Sequence, residues 1–399
     1  MKKNNAPRLN ASSAVSSLMA SVVCVLAGLA IGFIVLLLLG WITMAQGGNS
    51  VTFSQMISKT WASGFKPILC GGFFKTANTM GMGVRSEILQ AAPLIMTGLS
   101  VAFAFKTGLF NIGAAGQYTV GAYFALYSAL MLKLPWWACL IIATLGGALW
   151  GAIPGIFKAY LNVNEVITAI MFNWIGLYGV NTLIYQGGKG PMFNVNTTKT
   201  YTIKQASAQS LLPSFNINVN GKDYFGKMFT PTIGIFIAIA VAIIIWVILN
   251  KTTFGYELKA CGHNKDAAKY AGINDKRNII LSMTIAGALA GLGAGLFYLS
   301  GSKEWEPLVS TALPAVGFNG ISVALLASSN PVSCVFSALF ISHITVGGGV
   351  MDASVFPSEV ADLISGVVIY LCAFSMLFRT AIQKLITRKP KSKEKEENA

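Results

Sequence analysis

Charged residues are scarce in this chain. Asp, Glu, Lys and Arg make up only 11% of its 399 residues, whereas 54% are hydrophobic. Ordinary soluble domains carry about 25% charged residues. With so few charges the chain cannot cover a folded surface in water, so an ordinary soluble protein is excluded. A lipid bilayer supplies an apolar solvent, provided that apolar runs reach about 20 residues.

Acidic residues are scarcer than basic ones, which leaves a net charge of +15. A basic chain suggests nucleic acid, but here the basic residues lie in short connections and in the tail around 388–395. They form no stripe interleaved with aromatic residues. The pattern is typical of segments that flank a membrane, so the lipid bilayer is an expected partner and nucleic acid is not.

Residues and motifs that support catalysis or metal binding are also lacking. The six cysteines have no C-x-x-C spacing, and the two histidines have no metal-ligand spacing. The sequence contains no Walker A pattern, no G-x-S-x-G elbow and no H-E-x-x-H pair. We therefore predict no catalytic residue, no metal and no cofactor in this chain. If the chain takes part in active transport, the energy has to come from a partner or from an ion gradient.

What the chain does have is a series of long apolar runs bounded by turn residues. They predict an all-α polytopic membrane protein with about ten transmembrane helices. The predicted spans are 18–45, 86–105, 112–132, 136–157, 164–186, 230–250, 279–300, 314–328, 331–347 and 359–378. The first is too long for the apolar region of a signal peptide and is expected to be retained.

The distribution of Lys and Arg orients these spans. With the N-terminus inside, the inner segments hold 18 of the 29 basic residues at about twice the outer density, as the positive-inside rule expects. Both termini are then cytoplasmic. We predict a cytoplasmic segment at 1–17, one transmembrane domain at 18–378 and a basic cytoplasmic tail at 379–399. Residues 46–85 and 187–229 are expected outside, and 251–278 form the longest cytoplasmic loop.

Five predicted spans precede the 187–229 loop and five follow it, so related halves would form an inverted repeat. A short echo supports this arrangement: LFNIGAAG at 109–116 and VGFNGISVA at 316–324 occupy equivalent boundaries. Interrupted helices at matching places in two halves are the best sequence indication of a transport pathway.

Amides and hydroxyls are the main polar groups inside the spans. They are Asn111, Gln117, Asn164, Thr168, Asn173, Asn181 and Asn319. They are suited to bind a neutral, hydroxyl-rich solute, although such groups also commonly hydrogen-bond between helices. Asn164, Thr168 and Asn173 are spaced to lie near one helix face. Gly287, Gly291 and Gly295 form a small-residue stripe that allows close helix contact.

Carboxylates near span centres are missing. Glu87, Glu165, Glu359 and Asp362 all fall near predicted ends. Because a buried charge is costly and is kept only for use, their position disfavours an ion-coupled transporter without excluding it.

The 251–278 loop contains a predicted short helix from Asn264 to Ala271, with Gly272 as its C-cap. Gly262 is expected to permit a sharp turn ahead of it. Several residues of this stretch are apolar for a solvated loop. Such a helix is suited to dock on a cytosolic protein.

The same loop resembles the coupling loop of permeases of ATP-binding cassette (ABC) importers. ELKACGHNKDAAKYAGI is similar to the Gly-x-Asn-x-x-Ala-Ala-x-x-Ala-Gly-Ile pattern of the ribose and branched-chain amino acid permease family. Three further stretches resemble its nucleoside or simple-sugar branch, which works with basic-membrane-protein-type lipoproteins. They are TGLSVAFAFKTGLFNIGAAGQ (97–117), NEVITAIMFNW (164–174) and GFNGISVALLASSNP (317–331).

The resemblance implies three partners: a cytosolic ATP-binding subunit, a second homologous permease and an extracytoplasmic solute-binding lipoprotein. ATP and Mg²⁺ would be bound by the partner subunits. We assign coupling to the ATPase to Gly262, Asn264, Ala267, Ala268, Tyr270, Gly272 and Ile273. We assign the translocation pathway to Asn111, Gly113, Gln117, Asn164, Glu165, Thr168, Asn173 and Asn319.

Three functions remain under consideration. The first is an ABC importer permease for a neutral solute, most simply a nucleoside. The second is an ion-coupled secondary transporter of a similar solute, and the third is a membrane scaffold with no solute. The resemblance favours the first.

Overall fold

The computed structural model describes residues 11–46, 52–73, 77–215, 218–219, 222–223, 231–352, 355–356 and 359–373. The chain divides into two compact units. Unit 1 comprises Met1–Lys66 and Met351–Ala399, and unit 2 comprises Pro67–Val350. The predicted tail at 379–399 and most of the predicted N-terminal segment lie outside the described residues.

Helices account for most of the described chain. They are α1 (Ala11–Gln46), α2 (Phe53–Thr60), α3 (Lys66–Cys70), α4 (Ala77–Lys106), α5 (Ala114–Leu130), α6 (Trp136–Leu161), α7 (Glu165–Tyr185), α8 (Ile203–Ala206), α9 (Gly234–Lys251), α10 (Thr253–His263), α11 (Lys265–Tyr270), α12 (Asp275–Tyr298), α13 (Ala315–Leu326), α14 (Pro331–Gly348) and α15 (Glu359–Ala373). A π-helical turn, Trp61–Phe65, joins α2 to α3.

Seven described helices are long and apolar enough to cross a membrane. These candidate spans are Val25–Thr43, Gly83–Lys106, Trp136–Leu161, Glu165–Gly188, Gly234–Lys251, Asp275–Tyr298 and Pro331–Gly348. The all-α, multi-span class is thereby confirmed. The predicted spans 112–132, 314–328 and 359–378 coincide with helices of 17, 12 and 15 described residues, so a count of ten is not established.

The predicted loop 46–85 contains helices that hydropathy does not detect. It includes α2, and α4 begins at Ala77 instead of residue 86. Hydropathy marks where the apolar stretch ends, whereas a helix continues as long as its backbone hydrogen bonds are satisfied. Polar helix ends are therefore assigned to loops when only the apolar run is counted.

The contact between α12 and α6 lies in the interior of unit 2. A Cβ built on Gly291 would lie 2.9 Å from Gly147 Cα and would also contact the Ala143 carbonyl oxygen. Gly287 meets Gly151 Cα at 2.8 Å in the same way. The predicted close contact along the glycine stripe is confirmed, because two helix backbones touch where both helices lack side chains.

In unit 1, α1 packs closely against α15 at two glycines that lack side chains. A Cβ on Gly28 would lie 2.7 Å from Val368 Cα, and one on Gly32 would lie 2.9 Å from an Ile364 methyl group.

The connection between α7 and α9 contains two short antiparallel ladders. Phe193–Asn194 (β1) pairs with Lys199–Thr200 (β2), and Asn218–Val219 (β3) pairs with Lys222–Asp223 (β4). The backbone N–H of Thr200 donates to the Trp305 carbonyl at 2.9 Å, and that of Leu212 donates to the Leu299 carbonyl at 2.9 Å. This connection is therefore joined to the segment between α12 and α13.

An ion pair strengthens that junction. Lys199 Nζ lies 2.7 Å from Glu306 Oε1. The hydrogen bond from Lys199 holds the pKa of the Glu306 carboxyl below its usual value.

Candidate translocation and coupling sites

The break between α4 and α5 is built by a helix-terminating glycine. Gly108 has φ +74°, and Leu109 N donates to the Ala104 carbonyl at 2.9 Å. This 6→1 hydrogen bond after a left-handed glycine is a Schellman motif. The chain then runs through 109–113 without regular structure before α5 begins.

Two amides of the predicted pathway hydrogen-bond to each other beside this break. Asn111 Nδ2 donates to Gln117 Oε1 at 2.8 Å and to Ser100 Oγ at 2.9 Å. Gln117 Nε2 donates back to Asn111 Oδ1 at 3.1 Å. All three residues are buried. The network fixes the irregular segment against α4, and a solute would have to exchange with these hydrogen bonds to use the same groups. Ser100 was not predicted, since one hydroxyl in an apolar run gives no signal by itself.

Asn173 of α7 caps α5 from a neighbouring helix. Its Oδ1 accepts the Gly116 N–H at 2.8 Å, and its Nδ2 donates to the Ile112 carbonyl at 3.0 Å. The N-cap residue of α5, Gly113, has no side chain to do this. Asn173 therefore satisfies one donor in the first turn and one carbonyl in the break.

Replacing Asn173 by leucine should lower the free energy of unfolding by about 2–6 kcal/mol. The two backbone groups would lose their partners, and each unsatisfied buried group costs about 1–3 kcal/mol. Thermal unfolding of the purified chain in detergent measures the loss. The matched variant Asn250→Leu, at an exposed position near the end of α9, should change little. Equal losses in the two variants would contradict the capping role.

The expected common face of Asn164, Thr168 and Asn173 is only partly present. Thr168 and Asn173 are buried. Asn164 is exposed and caps α7, accepting the Val166 N–H at 2.8 Å. Asn164 is the N-cap residue of α7, so it lies just before the helix and its side chain bonds to the first turn. Glu165 forms an ion pair with Lys158 at 2.9 Å.

The second interrupted helix, α13, begins next to the first. A Cβ on Gly317 would lie 2.7 Å from the Ala115 backbone nitrogen, so the N-terminal turns of α13 and α5 abut. Thr97 Oγ1 donates to the Val316 carbonyl at 3.0 Å and ties this turn to α4. Asn319 lies one turn into α13 and is half-buried. The two segments of the sequence echo thus meet inside unit 2.

Asn181 joins α7 to the segment between α12 and α13. Its Nδ2 donates to the Ser310 carbonyl at 2.8 Å, and its Oδ1 accepts from Trp305 Nε1 at 2.8 Å. The sequence places this amide among the groups suited to bind a solute but does not indicate its two partners, which lie far away in the chain.

The predicted coupling helix is present as α11. The Asn264 side chain accepts the Ala267 N–H at 3.0 Å, and Gly272 ends the helix with φ +79°. Ala268 is buried, whereas 95% of the Tyr270 side chain is exposed. Tyr270 is therefore free to contact another protein.

Gly262 does not form the predicted turn. It lies within α10, and a Cβ built there would lie 2.6 Å from Gly108 N and still closer to the Thr107 carbonyl group. Its small size is needed for close approach to the α4–α5 break and not for a left-handed conformation. A single sequence cannot distinguish these two uses of glycine.

The coupling segment is also held by charge. Lys265 of α11 lies 3.3 Å from Asp275, the first residue of α12. Elsewhere in unit 2, Glu87 pairs with His343 at 2.9 Å. Among the described residues, no group of three or more His, Cys, Asp or Glu could hold a metal ion.

Comparison with known proteins places the chain in a family. Residues 84–373 match the family described as branched-chain amino acid transport system / permease component, and the chain belongs to it.

Several members with assigned substrates are similar over most of their length. The guanosine ABC transporter permease protein NupP of Bacillus subtilis is 36% identical over 93% of this chain and 97% of its own. The nucleoside ABC transporter permease protein NupB of Lactococcus lactis is 36% identical over 81% of this chain and 88% of its own. The glucose ABC transporter permease protein TsgB13 of Haloferax volcanii is 29% identical over 77% and 80%, respectively. No solved structure matches.

Proposed function

We propose that this chain is the transmembrane permease subunit of an ABC importer that moves nucleosides into the cell. The observation that carries the proposal is the similarity to a guanosine permease over 93% of the chain. Nucleosides are neutral and rich in hydroxyl groups, which suits a pathway lined by amides and hydroxyls. The importer resides in the cell membrane, with ten spans and both termini in the cytoplasm.

The pathway lies where α5 and α13 meet. Half-helix N-termini carry partial positive charge and unsatisfied N–H donors, and transporters place such ends at their substrate sites. The proposed pathway residues remain Asn111, Gly113, Gln117, Asn164, Glu165, Thr168, Asn173 and Asn319. Asn319, the member of this set on α13, is half-buried, so its side chain is accessible to a solute where the two helices meet. Asn111, Gln117 and Asn173 hold the start of α5 in place and open toward the solute when the helices tilt.

Transport is driven by partners. A cytosolic ATP-binding subunit, which binds ATP and Mg²⁺, engages α11 through Tyr270, Ala267 and the Asn264 cap. Gly262, Ala268, Gly272 and Ile273 keep this helix rigid and close to the membrane helices. A second homologous permease completes the pathway, and an extracytoplasmic lipoprotein delivers the solute.

The test is uptake of labelled guanosine, uridine and adenosine by cells that lack this chain and by cells in which it is restored. We expect restoration to raise uptake at least about tenfold, with competition by other nucleosides and not by ribose. Competition by ribose or glucose alone would identify sugars, and not nucleosides, as the transported solutes. Unchanged uptake, in cells shown to lack redundant carriers, would refute the nucleoside assignment.

The same cells distinguish an ion-coupled transporter from an ABC importer. Collapse of the ion gradients while ATP is maintained should leave uptake intact if partner ATPases supply the energy. Loss of uptake under that condition would favour the secondary transporter.

A further inference from the structure

A cavity of about 210 Å³ lies beside the coupling helix in unit 2. It is bounded by the α4–α5 break, the end of α6, the helix α10 and the start of α12. Its lining residues are Thr107, Gly108, Leu109, Lys158, Leu258, Cys261, Gly262, Lys265, Asn278, Ile279 and Ser282. The cavity therefore lies between the coupling segment and the adjoining parts of α4, α6 and α12.

The polar groups in this lining are mainly hydrogen-bond donors. Lys158 and Lys265 each contact one carboxylate, at 2.9 and 3.3 Å, and an ammonium group has three donors. Donors therefore remain on both lysines. The lining includes no Asp or Glu.

Ser282 adds a hydroxyl to the lining. The residue is only 2% exposed, and among the described residues its side chain has no hydrogen-bond partner. The Asn278 amide, in a residue that is 3% exposed, donates to Cys261 Sγ at 3.4 Å, an ordinary distance for a hydrogen bond to sulfur, and its second N–H remains available. Buried polar groups normally have a partner, so an unpartnered hydroxyl facing a cavity points to a ligand.

We propose that this cavity binds a phosphate group. A phosphate has several strong acceptor oxygens, which match the donors of two ammonium groups, one hydroxyl and one amide. Each lysine is paired with a carboxylate that offsets much of its charge. The dissociation constant for phosphate is therefore on the order of millimolar. The phosphate belongs to a free phosphate or phosphate monoester, or to the headgroup of an anionic lipid. The bound group holds α10 against α12 and so reduces the movement of the coupling helix.

Cys261 provides a reporter in the native chain, because its half-buried thiol lines the cavity. The assembled transporter in detergent is alkylated with and without inorganic phosphate at constant ionic strength. Mass spectrometry gives the rate at each cysteine, and Cys70, which does not line the cavity, is the internal control. We expect phosphate to slow the labelling of Cys261 at least about fivefold and to leave Cys70 unchanged.

Two variants separate a specific site from a general effect of salt. Ser282→Ala should raise the phosphate concentration for half-protection about tenfold, because a hydrogen bond to a charged group is lost. Thr284→Val, on the same helix but outside the lining, should behave like the native chain. Equilibrium binding of radiolabelled phosphate is also measured for the native and Ser282→Ala transporters. The difference between them reports phosphate binding at this cavity without depending on thiol reactivity.

A second experiment, in nanodiscs, identifies the source of the phosphate. If nanodiscs containing phosphatidylglycerol protect Cys261 without added phosphate, and Ser282→Ala removes that protection, the ligand is a lipid headgroup. If protection needs added inorganic phosphate, the ligand is a free phosphate. Absence of protection and of differential binding in both arms would overturn the proposal.

Discussion

Replacing Gly291 by valine should prevent the chain from folding stably, with a loss of at least about 3 kcal/mol in the free energy of unfolding. The new Cβ would meet the Ala143 carbonyl oxygen and Gly147 Cα, both of which belong to backbone. Backbone atoms cannot move aside as a flexible side chain can. The helices α12 and α6 would have to separate along their length.

Gly291→Ala gives the graded form of this prediction. Its single methyl group should cost about 1–3 kcal/mol, because the helices must separate by a smaller distance. The control is Gly179→Ala in α7, where a Cβ would meet nothing within 4 Å. Thermal unfolding and the amount of monodisperse protein extracted from membranes measure both effects. Similar stability of Gly291→Ala and Gly179→Ala would contradict close packing of α12 on α6.

Replacing Gly262 by valine should uncouple ATP hydrolysis from uptake. The side chain would force α10 away from Thr107 and Gly108, which it touches through the Gly262 backbone. Since α10 leads directly into α11, movement of the coupling helix would no longer reach the α4–α5 break. Uptake should fall about five- to thirtyfold, the range expected when coupling of about 1–2 kcal/mol is lost.

The measurements are solute uptake and ATPase activity of the assembled transporter in the same preparation. Basal ATPase activity and membrane insertion should be preserved, because Gly262 is exposed at the end of a helix outside the candidate spans. Thr253→Val places the same kind of side chain at an exposed position of α10 and should transport normally. Normal uptake by Gly262→Val would show that this contact does not transmit movement.

Local signals in the sequence predicted local structure well. Asn264 and Gly272 bound α11 because an Asn cap and a left-handed glycine act within one turn. The stripe of Gly287 and Gly291 predicted close packing, since small residues at a four-residue spacing share a helix face. The partner, α6, could not be named, because nothing in a single sequence links residue 291 to residue 147.

Roles that depend on distant residues were predicted less well. Asn164 and Asn173 looked alike in sequence, yet one caps its own helix and the other caps a neighbouring one. Gly262 was expected in a turn and lies in a helix against Gly108. For Asn173 and Gly262 the backbone that fixes the role of the residue belongs to another segment.

The sequence by itself determined that this protein lies in a lipid bilayer, and it determined the family to which the protein belongs. Too few charges and repeated apolar runs require a bilayer whatever the helix order, and the loop and span motifs identify a permease. Only the tertiary structure decided which interrupted helices meet, which amides satisfy the breaks, and that a donor-lined cavity lies beside the coupling helix. Hydrophobicity and capping act over one helix turn, whereas these features need segments about 200 residues apart to touch, as Ala115 and Gly317 do.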